Sequence, residues 1–327
     1  MKVELPLKAP ALIIPELGRV ELATGNVRVA KPGEVQIQTE YSGVSVGTEL
    51  SGAYGRNTLW GNPPFTPGYQ GVGRIIGFGS SERTGGFEIG DLVAYFTAAG
   101  THQKYTVASI ERTHKVEDNA LYKYAGLFVQ PAVGANAINK AGIKSGDSVL
   151  IIGQGLIGQA TAIIARMRGA YVVATDISPE RLAVSGQYCA DLVIDSSSRT
   201  PWEQLEERFP SGFDVVIEST GFLPLVEDAL KCIKFEGTFV FEGHYAGNLS
   251  FEFNLAHRKQ INAVFPFFIG DPTARESVLR QISSGRIGMA SLVSHEINWR
   301  ESGAVYSQLF GKDRDSLNGI LIDWRDA

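Results

Sequence analysis

The sequence predicts an α/β protein in which a doubly wound parallel sheet follows a β-rich N-terminal domain. Three observations predict it. Strands and helices alternate from Ser148 to Glu242; a glycine-rich turn joins the first of those strands to its helix; and short strands among glycines and prolines fill residues 1 to 120.

The elements follow in order. Val35-Gln36-Ile37-Gln38-Thr39-Glu40-Tyr41 alternates with period two, as a half-buried strand should. Gly71 to Gly77 and Asp91 to Tyr95 are further short strands, and many such strands between turn residues suggest a small barrel or sandwich. Residues 121 to 142 carry apolar side chains at helical intervals, and a turn then leads into the strand Ser148 to Ile152. Next come the strand Tyr171 to Thr175, the helix Pro179 to Gln187, the strand Leu192 to Ile194 and the helix Pro201 to Phe209. The strand Asp214 to Glu218, the helix Leu223 to Ile233 and the strand Thr238 to Glu242 complete the alternation. After residue 265 the pattern is mixed, with helices near Arg275 to Ser284 and Trp299 to Phe310 and a final strand Asn318 to Trp324. The expected domains are 1–122, 123–264, and a C-terminal return over 265–327.

Composition narrows the function classes. A chain of 327 residues, 44% hydrophobic and 20% charged, suits a two-domain globular protein. Its net charge of −5 and lack of a Lys/Arg run argue against a nucleic-acid surface. Cys189 and Cys232 stand outside any C-x-x-C pattern, which excludes a disulfide framework and a cysteine-rich zinc lobe. The apolar run Ala9 to Pro15 is too short and too rich in proline for a signal peptide. Val149 to Met167 is interrupted by Gly153, Gln154, Gly155 and Gly158, so it reads as a strand and a helix rather than a membrane span. A cytoplasmic protein with no nucleic-acid or membrane partner is expected.

The turn Gly153-Gln154-Gly155-Leu156-Ile157-Gly158 carries the cofactor reading. Its first glycine allows the tight bend, its second lets the backbone approach a pyrophosphate, and its third lets strand and helix pack closely. The helix start offers free N–H groups and the positive end of its dipole to the phosphates. The pattern alone is weak evidence, but here it follows a strand, opens a helix and is followed by a strand that ends in Asp176. Asp176 stands where an acid would accept the adenosine ribose hydroxyls and repel the extra phosphate of NADP, so NAD is the expected cofactor. Arg181 keeps some tolerance of NADP open. Ser219, Thr220, Gly243 and His244, at the ends of later strands, complete the expected cofactor contacts.

Several segments carry a resemblance to a known family. "GVSVGTELSG" (Gly43 to Gly52), "PGYQGVG" (Pro67 to Gly73), "FEIGDLVAYF", the run from Phe128 to Gly153 and "FDVVIESTG" (Phe213 to Gly221) resemble motifs of the medium-chain dehydrogenase/reductase family, the alcohol dehydrogenase superfamily. The resemblance spans nearly the whole chain. It implies a Rossmann domain joined to a GroES-like catalytic domain, and a homodimer formed at the Rossmann sheet edge, near which Thr238 to Glu242 is expected. "LVSHEINWRESGAVYSQLF" and the ending "ILIDW" most resemble a zinc-lacking branch that includes hydroxyethyl-bacteriochlorophyllide dehydrogenases and dehydrogenases of secondary metabolism.

The departures from the family bear on mechanism. Where zinc-dependent members place metal ligands, this chain has Ser45 or Val46, Tyr69 and Gln130, none of them a thiolate, imidazole or carboxylate. No metal is expected, so hydrogen-bond donors must polarise the substrate oxygen. Tyr69 either donates to a carbonyl or, with a lowered pKa, accepts a hydroxyl proton; otherwise it fills the vacated space. Thr48 matches the hydroxyl that relays the proton in zinc-containing relatives, and Glu49 matches a bracing acid. Gln130 hydrogen-bonds substrate or Tyr69, or caps a local turn. Of the five histidines, His244 is the strongest catalytic candidate, His102 is second, and His295 is structural. Lys104 and Trp60 are weaker candidates for lining the pocket.

The expected reaction is NAD(H)-dependent interconversion of a secondary alcohol and a ketone, on a cyclitol, a polyol or a bulky ring alcohol. The alternatives are a zinc-free quinone oxidoreductase or enoyl reductase, and a non-catalytic dinucleotide-binding protein.

Overall fold

The computed structural model describes residues 5–56, 61–80, 84–98, 100–245, 247–311 and 313–327; Trp60 lies outside them. Two compact units divide the chain, one of Met1–Val129 with Leu279–Ala327 and the other of Gln130–Val278. The first unit opens with β1 (Lys8–Glu16), β2 (Arg19–Asn26), β3 (Glu34–Val44), β4 (Gln70–Phe78), β5 (Leu92–Phe96), β6 (Tyr105–Ser109) and β7 (Thr113–Lys115). The second holds β8 (Ser148–Ile152), β9 (Tyr171–Asp176), β10 (Leu192–Asp195), β11 (Phe213–Glu218), β12 (Ile233–Phe241) and β13 (Asn262–Val264). The chain then returns to the first unit with β14 (Val293–Asn298) and β15 (Gly319–Asp323).

In the first unit β1 and β2 form an antiparallel pair, so the apolar run from Ala9 is a strand. The remaining strands form a sheet ordered β14-β15-β3-β4-β5-β7, with β6 also on β3. The alternation in β3 holds, with Val35, Ile37, Thr39 and Tyr41 buried on one face and Gln38 and Glu40 less so on the other, where Gln36 is the buried exception. Hydrogen bonds make that burial tolerable: the Gln36 carbonyl accepts from Ala30 N–H, and Thr39 Oγ1 lies 2.8 Å from Tyr95 Oη and 3.1 Å from Thr106 Oγ1. Leu12, Val44, Tyr306, Leu309, Ile320 and Trp324 pack into one core of this unit.

In the second unit all strands run parallel in the order β10-β9-β8-β11-β12-β13, the doubly wound arrangement. Val149 to Ile152 of β8 are all buried, as a strand covered on both faces requires. Chain order reverses between β8 and β11, which sets the crevice of such a sheet at their C-terminal ends. Strand β12, which holds most of Thr238 to Glu242, lies next to the sheet edge, where β13 pairs outside it. The helix Pro179–Val184 continues as a π turn over Ser185–Cys189, and a 3₁₀ turn over Leu223–Leu225 leads into the helix Val226–Lys231, whereas Pro201–Leu205 is shorter than the sequence suggests. The apolar stretch after residue 121 splits into a 3₁₀ segment (Tyr122–Leu127) and the helix Val129–Ala141, whose first turn tolerates Pro131. Among the described residues no helix is long and apolar enough to cross a membrane.

Candidate functional site

The glycine turn lies at the C-terminal end of β8 and opens the helix Leu156–Met167. Gly153 has φ +95°, and a Cβ there would approach Thr220 Cγ2 to 2.7 Å. A Cβ on Gly158 would lie 1.9 Å from the Gly153 carbonyl oxygen, so helix and turn touch only because Gly158 is bare. A Cβ on Gly155, by contrast, would meet nothing within 4 Å. Its bareness serves no contact inside the protein; it leaves a cradle beside the first-turn N–H groups of the helix, including those of Leu156 and Ile157, which lack intrahelical acceptors. That cradle fits the pyrophosphate of a dinucleotide.

Gln154 holds the turn through its side chain. Its side chain is fully buried, donates to the Gly153 carbonyl at 2.9 Å and accepts from the Ser185 hydroxyl at 2.8 Å. It braces the turn from beneath. Asp176 ends β9 with one carboxylate oxygen accepting from Gln154 N–H at 2.5 Å. The other accepts from Ile177 N–H and Ser178 N–H at 2.8 and 2.9 Å. The acid thus ties the glycine turn to the end of β9, and three of its four lone-pair sites are taken, which leaves one on the oxygen that faces Gln154 N–H for a ribose hydroxyl. Arg181 is half-buried in the first turn of the neighbouring helix, where its N–H bonds the Ser178 hydroxyl.

At the ends of β11 and β12 the expected residues share the crevice with two acids that sequence reasoning missed. Thr220 N–H donates to Glu218 at 2.8 Å, and the hydroxyls of Thr220 and Tyr245 bond the same carboxylate. The Ser219 hydroxyl donates instead to Glu242. Gly243 N–H bonds the Glu218 carbonyl at 2.8 Å, and His244 is exposed in the loop that follows. The only sequence signal for Glu242 is an acid at the end of an otherwise apolar strand.

In the first unit three hydroxyls gather. Ser45 is the N-cap of the helix Val46–Ala53, and its Oγ donates to Thr48 Oγ1 at 3.2 Å. The Tyr69 phenol, just before β4, hydrogen-bonds both Ser45 and Thr48. Burial pushes that phenol up to about 12, and the nearby Glu49 charge adds to the rise against the two hydroxyls. The direction of that shift keeps the phenol protonated at neutral pH and runs against the lowered pKa that a phenolate base needs.

Glu49 lies behind this cluster in a buried network. Its carboxylate accepts from Ser45 N–H at 2.9 Å and from the Tyr306 hydroxyl, and both its oxygens lie 3.1 Å from His102 Nε2. His102 Nδ1 lies 2.7 Å from Ser42 Oγ, which also accepts from Trp324 Nε1 at 2.8 Å. Tryptophan can only donate, so Ser42 Oγ accepts from it while also meeting the imidazole, and the Glu49–His102 pair is linked through Ser42 to Trp324. Ser42, Tyr306 and Trp324 join it from distant parts of the chain, where no local pattern marks them.

A zinc ion does not fit these donors. Ser45, Thr48 and Tyr69 offer neutral hydroxyls, whereas zinc is held by thiolate, imidazole or carboxylate, and Glu49 and His102 are already committed to each other. Among the described residues no group of three His, Cys, Asp or Glu side chains could hold a metal. Gln130 is buried in the first turn of the helix Val129–Ala141. Lys104 is also buried, donating to the carbonyls of Trp324 and Arg325.

Residues 157–284 match the zinc-binding dehydrogenase family. The chain is 25% identical to an uncharacterized zinc-type alcohol dehydrogenase-like protein, YdjJ, of Escherichia coli K12, over 96% of this chain and 99% of that protein. It is also 25% identical to the sorbitol dehydrogenase of Halalkalibacterium halodurans, over 95% and 98% of the two chains. Among solved structures, a protein from E. coli CFT073 described as a short chain alcohol dehydrogenase, complexed with NADH, aligns with a TM-score of 0.86 at 17% identity. That alignment covers 98% of this chain and 100% of the other, and it reflects a shared fold.

Proposed function

We propose, for a chain that belongs to the medium-chain dehydrogenase/reductase superfamily, the interconversion of a secondary alcohol and a ketone by NAD(H)-dependent hydride transfer without a catalytic zinc ion. The carrying observation is the hydroxyl cluster: Tyr69, held in its protonated form, bonds Ser45 and Thr48 where zinc-containing relatives of the family place metal ligands.

Bound NAD(H) supplies the hydride chemistry, accepting from or donating to the substrate carbon. The chain's residues do the rest. Gly155 and the helix start bind the pyrophosphate, and Asp176 receives a ribose hydroxyl of the adenosine and disfavours a further phosphate there. In ketone reduction Tyr69 donates its phenolic proton to the developing alkoxide, and Ser45 and Thr48 pass a replacement proton along their hydroxyls. Alcohol oxidation reverses the path. Glu49 and His102 hold the Ser45 turn in place without touching the substrate.

Within the cyclitol, polyol or bulky ring alcohol class, the sorbitol dehydrogenase relative supports the polyol reading. A homodimer formed along β13 belongs to the same reading, since that strand is the open edge beyond β12 and the exposed Phe265 and Phe267 follow it. The test is a screen of secondary alcohols with NAD and ketones with NADH on chelator-treated protein of measured metal content. Turnover with far less than one zinc per chain is expected. Activity that disappears with the metal and returns with zinc overturns the zinc-free mechanism.

A further inference from the structure

Two acids at the crevice have no part in the hydride-transfer scheme. Glu218 closes β11, and Glu242 comes directly after β12; Glu242 N–H bonds the Glu218 carbonyl at 3.0 Å and fixes the two backbones side by side. The surroundings of their carboxylates differ. Glu218 accepts from Thr220 N–H, the Thr220 hydroxyl, Gly221 N–H at 3.0 Å and the Tyr245 hydroxyl. The recorded donors to Glu242 are two hydroxyls, Ser219 from the end of β11 and Thr161 at 2.8 Å. Thr161 belongs to the helix that opens at the glycine turn, so Glu242 reaches from its strand toward the element expected to carry the pyrophosphate.

Hydroxyls suit either form of a carboxyl group, because each can donate to the anion or accept from the acid. Backbone N–H groups, which bind Asp176 and Glu218, can only donate. Glu242 is thus the acid of this crevice that can take a proton without losing its partners. The titratable groups facing it are Glu218 from β11 and Tyr245 from its own loop, with His244 beside it in sequence; the helix contributes the neutral Thr161.

We propose that Glu242 takes up a proton when the dinucleotide binds, so that cofactor affinity falls as the medium becomes alkaline. This behaviour rests on the dinucleotide reading of the crevice. The bound pyrophosphate brings negative charge to the helix start, where an ionised Glu242 opposes it and a protonated one does not. Burial, aided by the Glu218 charge, already pushes Glu242 up to about 7 before any ligand arrives, which places its proton within reach of a neutral medium.

The test measures NADH affinity by fluorescence from pH 6 to 9 for the wild type and Glu242→Gln. Calorimetry in two buffers of different ionisation heat measures proton uptake by the wild type alone. If binding raises the acid's pKa by about one more, wild-type affinity falls roughly tenfold between the ends of that range. Glu242→Gln then shows a flat profile and binds more tightly than the wild type at the alkaline end, and the wild type takes up part of a proton near pH 7.5. A flat wild-type profile, an unchanged slope in the variant, or no proton uptake overturns the proposal. Failure of wild type and variant to bind NADH or NADPH at every pH overturns the dinucleotide reading itself.

Discussion

Both carboxylate oxygens of Glu49 lie 3.1 Å from Nε2 of His102, and neither side chain reaches solvent. A buried carboxylate is tolerable only while its donors are in place. Removing the imidazole by His102→Ala leaves Glu49 with Ser45 N–H and the Tyr306 hydroxyl. The expected loss of stability is about 3–5 kcal/mol, read from urea unfolding at neutral pH. A loss below about 1 kcal/mol would show that water replaces the ring and that the pair braces nothing.

Tyr69→Phe removes the proposed proton donor and keeps the ring that fills the space. Turnover is expected to fall by about 10²–10⁴-fold, the usual worth of a positioned acid, while NADH affinity stays unchanged. Because burial holds the phenol up at about 12, wild-type ketone reduction shows no loss attributable to Tyr69 between pH 6 and about 10. Equal turnover in Tyr69→Phe makes the residue a packing group.

Asp176 is predicted to set the choice between cofactors. Titration of the wild type should show NADH binding more tightly than NADPH. Since Asp176 also anchors Gln154 N–H in the glycine turn, Asp176→Ser should weaken both cofactors while shrinking the ratio between them. The ratio is the decisive quantity; an unchanged ratio leaves Asp176 with its structural role alone.

Much of this was legible because it is local. The glycine turn, its flanking strand and helix, and Asp176 lie within one βαβ stretch, where spacing and geometry are nearly the same thing. The hydroxyl cluster was half legible: Thr48 and Tyr69 stood in recognisable motifs, but whether Tyr69 keeps its proton depends on burial, which no motif reports. The Glu49 network was not legible, since it joins β3, the segment before β6, the helix Ser302–Phe310 and Trp324, which meet only once the sheet has formed. His244 drew notice as a histidine beside a strand end, whereas the acid two residues before it, Glu242, faces the crevice.

Glu242 also makes a prediction about the free protein. Burial raises its carboxyl from the usual 4.5 to about 7, so the folded state holds this proton where the unfolded chain has released it. The stabilisation is complete below about 4.5 and is lost as pH rises to about 7, by roughly 1.4 kcal/mol for each pH unit crossed. The melting temperature of wild type relative to Glu242→Gln should therefore fall between pH 5 and 8. Parallel curves for the two proteins would place the Glu242 carboxyl in water.

Two glycines of the same turn should respond oppositely to one added methyl group. At Gly158 the new carbon lands 1.9 Å from the Gly153 carbonyl oxygen, a backbone atom that cannot swing aside as a side chain could. Gly158→Ala should therefore lower the melting temperature and abolish NADH binding together. Gly155 has φ −69°, an ordinary value for alanine, and its Cβ meets nothing within 4 Å. Gly155→Ala should melt like the wild type yet bind NADH at least about tenfold more weakly, because the methyl group occupies the space through which the pyrophosphate nears the helix N–H groups. Melting curves and fluorescence titrations on the two variants separate the roles. Wild-type NADH affinity in Gly155→Ala would mean that the phosphates do not pass over this residue, and the cradle assigned to the helix start would have to be abandoned.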